Sequence, residues 1–177
     1  MFDKNIFLKG KKTTIRPFTE SDINPVYISW LNDIEIMQYS NQRFIKHNKK
    51  SCLNYLNSFI DTPNSFLALE DNNSNKLIGT MTVYCSEREK IADVGILIGD
   101  KKIAGKGYGK DSWCSLIEWL KNQENVRKIT AGTVSVNKPM LALMHAANMV
   151  VDGRRRKHQI IKGHEVDVIY FCIFTDV

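Results

Sequence analysis

The sequence is short of several things. No apolar run approaches the roughly 20 residues of a membrane-spanning helix. Its opening, MFDKNIFLKGKKTTIRPF, is broken by Asp3, Lys4 and Lys9 and so lacks the apolar centre of a signal peptide. Cysteine is confined to Cys52, Cys85, Cys114 and Cys172, widely spaced, with no CxxC pair and no nearby histidine pair. That argues against a zinc site or a disulfide framework and for reduced thiols in a cytoplasmic protein; no metal is expected. There is no internal repeat, low-complexity tract or dividing linker, and 177 residues fit one domain, 1–177. The excess of positive charge is mild, +6, and suits either solubility or an anionic ligand. Aromatic residues are not interleaved with the basic cluster, which argues against a nucleic-acid surface.

What is present alternates between strand and helix patterns. TTIRPF (13–18) reads as a short strand ended by Pro17. TESDINPVYISWLND opens with a cap signal and carries Val26, Trp30 and Leu31 at helical spacing. A polar break, SNQRFIKHNKK, precedes a second helix from about Ser51, with Leu53, Leu56 and Ile60 on one face. SFLALE and KLIGTMTVYCS are strands joined by the turn DNNSN. ADVGILIG (92–99) is nearly all apolar and therefore a central strand. A helix follows with Trp113, Leu116, Ile117 and Leu120 as a core stripe. RKITAGTVSV is a strand, and NKPMLALMHAANM a short helix capped by Asn137, with Pro139 in its first turn and Met140, Leu143, Met144 and Ala147 inward. Two strands around Lys162–Gly163–His164 close the chain. The order β-α-α-β-β-β-α-β-α-β-β specifies an α+β domain with a mixed sheet, not a doubly wound α/β repeat.

Between the central strand and the third helix lies KKIAGKGYGKD, with three alternating glycines and flanking lysines. Glycine allows φ > 0 and close approach of a ligand, and a helix start offers unpaired N–H groups at the positive end of its dipole. Together they describe a phosphate seat. A P-loop is excluded because Lys110 is followed by Asp111, not by the hydroxyl residue that would hold Mg²⁺. A dinucleotide fingerprint is excluded by the spacing and by the position late in a mostly antiparallel chain.

With the element order, these residues make the sequence resemble the GNAT superfamily of acyl-CoA-dependent N-acyltransferases. The likeness is to the branch of ribosomal-protein N-terminal and amino-sugar acetyltransferases. It rests on WLND (30–33), ADVGILIG, GKGYGKD (105–111), Asn137 and KGHEVDVIYF (162–171), and spans almost the whole chain. The resemblance implies a mostly antiparallel sheet of six to seven strands flanked by about four helices. It implies acetyl-CoA as donor, with its pyrophosphate on the loop Ile103, Ala104, Gly105, Lys106, Gly107, Tyr108, Gly109 and Lys110. Pantetheine would pair with the backbone of Ile96, Leu97 and Ile98. Lys102, Lys106 and Lys110 are candidate phosphate contacts or plain surface charges. Ala104 replaces the usual Gln or Arg, removing a side chain but no backbone donor.

The reacting amine must be neutral, and a lysine-like amine is so in roughly one molecule in 2,500 at pH 7. A general base offsets part of that, and the resemblance points to Asp93 in that role, with a backbone N–H near Ile96 or Leu97 polarising the thioester carbonyl. The family's proton-donating tyrosine falls on Met144, which cannot donate. His145 is a candidate acid, although it points ~100° away around the helix. In this family the first two helices, their connection and the last strands shape the acceptor site, which selects Gln42, Arg43, Phe44 and His47. An arginine beside an aromatic suits an anionic, ring-bearing acceptor. Arg154, Arg155, Arg156 and Lys157 are either a solvated strand end or a second face for a nucleotide diphosphate. The favoured substrate is a small primary amine, a nucleotide-linked deoxyamino sugar. A protein N-terminal acetyltransferase and a non-catalytic CoA-binding module are the alternatives. Neither nucleic acid nor membrane is expected as a partner, and the resemblance allows a homodimer.

Overall fold

A computed structural model describes residues 6–175, so the first five residues, part of the stretch read for a leader, lie outside it. The chain order is β1 (Leu8–Lys9), β2 (Thr13–Pro17), α1 (Pro25–Leu31), α2 (Lys49–Asn57), β3 (Ser65–Asp71), β4 (Leu77–Ser86), β5 (Ile91–Ile98), α3 (Tyr108–Lys121), β6 (Lys128–Val134), α4 (Lys138–Ala146), β7 (Val150–Ile161) and β8 (His164–Phe174). Short 3-10 turns lie at Glu20–Asp22, Asn41–Phe44 and Lys101–Ile103. Without β1 this is the order expected from sequence. Two residues are too few to show an alternation, which is why an eighth strand escapes the pattern.

All eight strands form one sheet in the order β1-β2-β3-β4-β5-β6-β8-β7. Only β5 and β6 run parallel; the other pairings are antiparallel. β5 is central, as its apolar composition requires. Its residues alternate between two cores. Ala92, Val94, Ile96 and Ile98 pack with α3 and α4, where Trp113, Leu116, Ile117 and Leu120 are buried as expected. Each such side chain contributes roughly 1.5–3 kcal/mol on burial. Asp93, Gly95 and Leu97 therefore face the other side. There α1, α2 and β3 build a second, aromatic core from Phe18, Tyr27, Trp30, Phe59 and Phe66.

Local sequence explains where the helices differ from expectation. Asn24 accepts from Tyr27 N–H and Pro25 opens α1, which sets the phase so that Tyr27 and Trp30 point inward. Val26, expected inside, is 58% exposed. A capping box of Asn48 and Ser51 starts α2, which stops before Ser58. Ile60 lies beyond the helical repeat and is exposed, while Cys52 and Phe59 are buried. In the β7–β8 turn Lys162 and Gly163 both have positive φ, 49° and 79°, as a two-residue hairpin turn needs. Arg16 of β2 grips Asp22 with two nitrogens (2.8 and 2.7 Å) and Glu70 of β3 with two more bonds, fixing the entry to α1.

Candidate active site

The sheet carries a notch at its centre. β5 and β6 are paired only at Ile91–Lys128, Ala92–Ile129 and Asp93–Thr130. Beyond that last pair they diverge, while β4 keeps its hold on β5 as far as Ile98 and β8 on β6 as far as Val134. Gly99 N–H donates to Ile78 O across the β4 side. The strand period of two then directs the N–H groups of Leu97, Gly95 and Asp93 toward β4. Those of Ile96 and Ile98 point into the notch. Register thus turns the Ile96 N–H, and not that of Leu97, into the notch.

At the end of β5, Asp100 caps the 3-10 turn by accepting from Lys102 N–H at 2.9 Å. The chain then passes through Gly105 and Gly107, with φ of 73° and 86°. Gly107 is the N-cap of α3, and no side chain caps this helix. The backbone N–H groups of Gly105, Gly107, Tyr108, Gly109 and Lys110 make no hydrogen bond among the described residues. Five open donors at a helix start fit an anion of the pyrophosphate kind. Ile103 packs on the core beneath, and Ala104 closes the 3-10 turn by donating its N–H to Lys101 O. The Gly109 position has ordinary room: a Cβ there would meet Ile98 Cγ1 at 3.5 Å and Leu143 Cδ1 at 3.8 Å.

The loop is held from outside by Asp111, to which the sequence alone assigns no structural role. Its carboxylate accepts from the N–H groups of Lys11 (3.1 Å), Lys12 (2.9 Å) and Thr13 (3.0 Å) and from the Thr13 hydroxyl (2.8 Å). Burial of this carboxyl opposes ionisation, but those donors outweigh it and hold its pKa below the ordinary value. Gly10 has no space for a side chain, since a Cβ would come 2.4 Å from Asp111 Oδ2.

Asp93 sits in the vertex of the notch, on the face opposite α3 and α4. Thr130 Oγ1, its neighbour in register, donates to Oδ1 at 2.6 Å. The residue keeps an exposed edge, yet the protein around its carboxyl raises the pKa by desolvation, with the Thr130 bond pulling it back in part. On its other side Tyr84 of β4 is its direct partner. Tyr84 OH lies 2.8 Å from Tyr55 OH of α2. Neither tyrosine nor Thr130 is singled out by sequence, because only strand register brings them beside Asp93.

Next to this row, between the sheet and the α1–α2 layer, lies a cavity of about 560 Å³ bordered by Thr80, Thr82, Gly95 and Leu97. Gln42 and His47 line it, as does Tyr55. Arg43 and Phe44 do not; they border an adjoining cavity of about 290 Å³ together with Lys46. Arg43 stacks on Phe44 at 4.2 Å and donates to Ser40 O at 2.7 Å. The wall between the cavities is Leu31, Met37 and Ile45. Among the described residues, no Asp, Glu, Lys or Arg lines the larger cavity.

The remaining expected residues fall elsewhere. Asn137 is occupied as the cap of α4, accepting from Met140 N–H and donating to Thr133 Oγ1. Met144 is fully buried in the core, so it presents no surface to the notch; Leu143 is the α4 side chain that reaches the Gly109 position. His145 packs edge-on to Phe171 of β8 at 5.4 Å, away from the glycine turn. The basic cluster on β7 is largely matched by β8: Arg154 pairs with Asp167, Lys157 with Glu165, and Arg155 lies over the Tyr170 ring. The four cysteines are free thiols.

Comparison with known proteins agrees with this geometry. The profile of the Acetyltransferase (GNAT) domain matches residues 12–150. No curated protein matches the chain by sequence. Among solved structures, an acetyltransferase of the GNAT family from Bacillus anthracis superposes with a TM-score of 0.80 at 19% identity, covering 96% of this chain and 98% of its own. A ribosomal L7/L12 α-N-protein acetyltransferase in complex with coenzyme A gives 0.83 at 13% identity, with 97% and 99% covered. A spermidine N-acetyltransferase from Vibrio cholerae, in complex with CoA and spermine, gives 0.80 at 20% identity, with 93% and 96% covered. The family match over most of the chain, on a fold that opens its central strand beside a glycine turn of free N–H groups, establishes that the protein belongs to the GNAT family and is an acetyl-CoA-dependent N-acetyltransferase.

Proposed function

We propose that the protein acetylates the amino group of a neutral, hydroxyl-bearing small molecule, a deoxyamino sugar carried on an anionic nucleotide. The observation that carries this reading is the lining of the larger cavity. It offers hydroxyl and amide groups from Ser40, Gln42, Ser51, Asn54, Thr80 and Thr82 among apolar walls, and no Asp, Glu, Lys or Arg side chain among the described residues. A polyamine buried there would lack a carboxylate to pair with, and a phosphate would lack a lysine or arginine. Sugar hydroxyls and a deoxy methyl group match such a surface. The adjoining cavity supplies what the first lacks: Arg43 stacked on Phe44, with Lys46 beside them, suits the anionic, planar carrier, while the one carboxylate of its described lining, Asp33, is paired with Lys101.

When bound, acetyl-CoA supplies the activated acetyl thioester. The glycine turn and the open edge of β5 are the elements of this chain that hold it. Asp93 accepts the proton of the attacking amine, directly or through one water, and its raised pKa keeps it a better base than an exposed aspartate. Ile96 N–H stabilises the negative charge that develops on the carbonyl oxygen. Attack forms the C–N bond, the C–S bond then breaks to give the acetamide and the CoA thiolate, and the proton held by Asp93 passes to solvent, from which the thiolate is protonated.

The test is acetyl-CoA-dependent thiol release over nucleotide-linked and free amino sugars, polyamines and N-terminal peptides. Product mass should show a single acetyl gain. Selective turnover of a nucleotide-linked amino sugar is expected, with Arg43→Met raising KM for that substrate and not for the free sugar. Turnover confined to polyamines or peptides refutes the acceptor assignment.

A further inference from the structure

We propose that Lys12, on the turn between β1 and β2, is a phosphate-binding residue of the acetyl-CoA site and contacts the pyrophosphate. The inference rests on acetyl-CoA being the donor and assigns a side chain from a remote part of the sequence to the glycine turn. Lys12 Nζ donates to Lys106 O at 2.7 Å. It lies 3.8 Å from where a Cβ on Gly107 would sit, and 5.4 Å from the Tyr108 ring centre. Those contacts surround the N-cap of α3, where the open N–H groups of Gly107, Tyr108, Gly109 and Lys110 converge. Asp111 in the first turn of α3 offsets part of the cost of a cation at the positive end of the helix, and a bound phosphate would offset the rest. Among the described residues Lys12 has no carboxylate partner for its side chain. An ammonium has three donors, and only one is used by Lys106 O.

The placement is built, not incidental. Asp111 binds the backbone N–H of Lys12 itself, together with those of Lys11 and Thr13, so the helix that would hold the phosphate also fixes the chain that delivers the cation. Lys102, Lys106 and Lys110, favoured by proximity in sequence, make no side-chain hydrogen bond or ion pair among the described residues. Lys12 is the one pinned over the turn. This gives the mixed donor set that binds phosphate well: backbone N–H groups for direction and one ammonium for charge.

The experiment is calorimetric binding by the full chain of acetyl-CoA, 3′-dephospho-CoA and acetyl-pantetheine, for wild type, Lys12→Met and Lys12→Arg. Lys12→Met should weaken acetyl-CoA and 3′-dephospho-CoA alike by about tenfold at low salt, the lower end for a charge-assisted bond. The gap should narrow at high salt, Lys12→Arg should keep most of the affinity, and acetyl-pantetheine should be unaffected. Unchanged affinity in Lys12→Met overturns the proposal. So does a loss independent of salt, which would mean that Lys12 only props up Lys106 O. Loss confined to acetyl-CoA would assign Lys12 to the 3′-phosphate and overturn the pyrophosphate contact. Wild type that prefers acetyl-pantetheine would refute the donor assignment itself.

Discussion

Replacing Asp111 by Ala should loosen the hairpin and the glycine turn together, and the cost follows from the bonds it makes. Four donors lose their acceptor: the N–H groups of Lys11, Lys12 and Thr13 and the Thr13 hydroxyl. Lys11 and Lys12 are exposed, so water replaces much of what their amides lose. Thr13 is fully buried, and its N–H and hydroxyl lose their charged acceptor. Hydrogen bonds to charged groups contribute about 1.5–3 kcal/mol each, which puts Asp111→Ala at about 3 kcal/mol after allowing for solvent at the exposed pair. For a chain of this length that is a fall in Tm of roughly 6–12 °C. Asp111→Asn keeps one oxygen for Thr13 and Lys12 but turns an amide NH₂ toward the Lys11 N–H, and should cost about half as much. Because the donors hold the folded pKa below its unfolded value, this stabilisation is complete above the ordinary carboxylate pKa. It is lost as pH falls through the depressed folded value, and Asp111→Asn should show a smaller loss on acidification. Thermal and urea unfolding measure the first effect, and acetyl-CoA affinity should fall in both variants because Lys12 moves with the hairpin. An Asp111→Ala protein within about 0.5 kcal/mol of wild type would refute the reasoning.

Asp93→Asn should abolish most turnover near neutral pH while leaving acetyl-CoA affinity intact and the protein at least as stable at pH 8. A carboxyl with a raised folded pKa favours folding when protonated and loses that advantage as pH rises. Thr130→Val removes the hydrogen bond that favours the carboxylate, so the acid limb of the kcat/KM profile should move to higher pH, with Thr130→Ser restoring it. An unmoved limb would separate Thr130 from the base. Gly99→Ala places a Cβ 1.9 Å from Trp30 Cδ2, so the ring that backs the acceptor layer must shift. A loss of about 1–3 kcal/mol and a higher KM for the amine are expected in denaturation and steady-state kinetics. Arg16→Met leaves the buried Asp22 without its two-pronged partner and should lower stability by about 3 kcal/mol near neutral pH in urea unfolding, the loss shrinking as Asp22 protonates.

Periodic patterns and local chemistry make much of this protein legible in one dimension. The stripe Trp113–Leu116–Ile117–Leu120, the apolar run of β5, the Asn137–Pro139 start of α4 and the Lys162–Gly163 turn each depend on neighbours in the chain, so the amino-acid order alone carries them. The glycine loop is of this kind as well: φ > 0 and open N–H groups are properties of a dozen consecutive residues. Helix phase was less secure, since Pro25 and the stop at Ser58 placed Tyr27 and Phe59 inside where Val26 and Ile60 were expected. What only the tertiary structure decided is which distant residues share a site. Register set Thr130 and Tyr84 beside Asp93 and turned Ile96 N–H, not Leu97, into the notch. A polar break that read as one binding segment was divided by Leu31, Met37 and Ile45, sending Gln42 and His47 to one cavity and Arg43 and Phe44 to another. Asp111 and Lys12 acquired their places through bonds spanning almost a hundred residues of chain. No local pattern encodes such pairings, because strand register and side-chain packing are settled only when the whole sheet closes on its two cores.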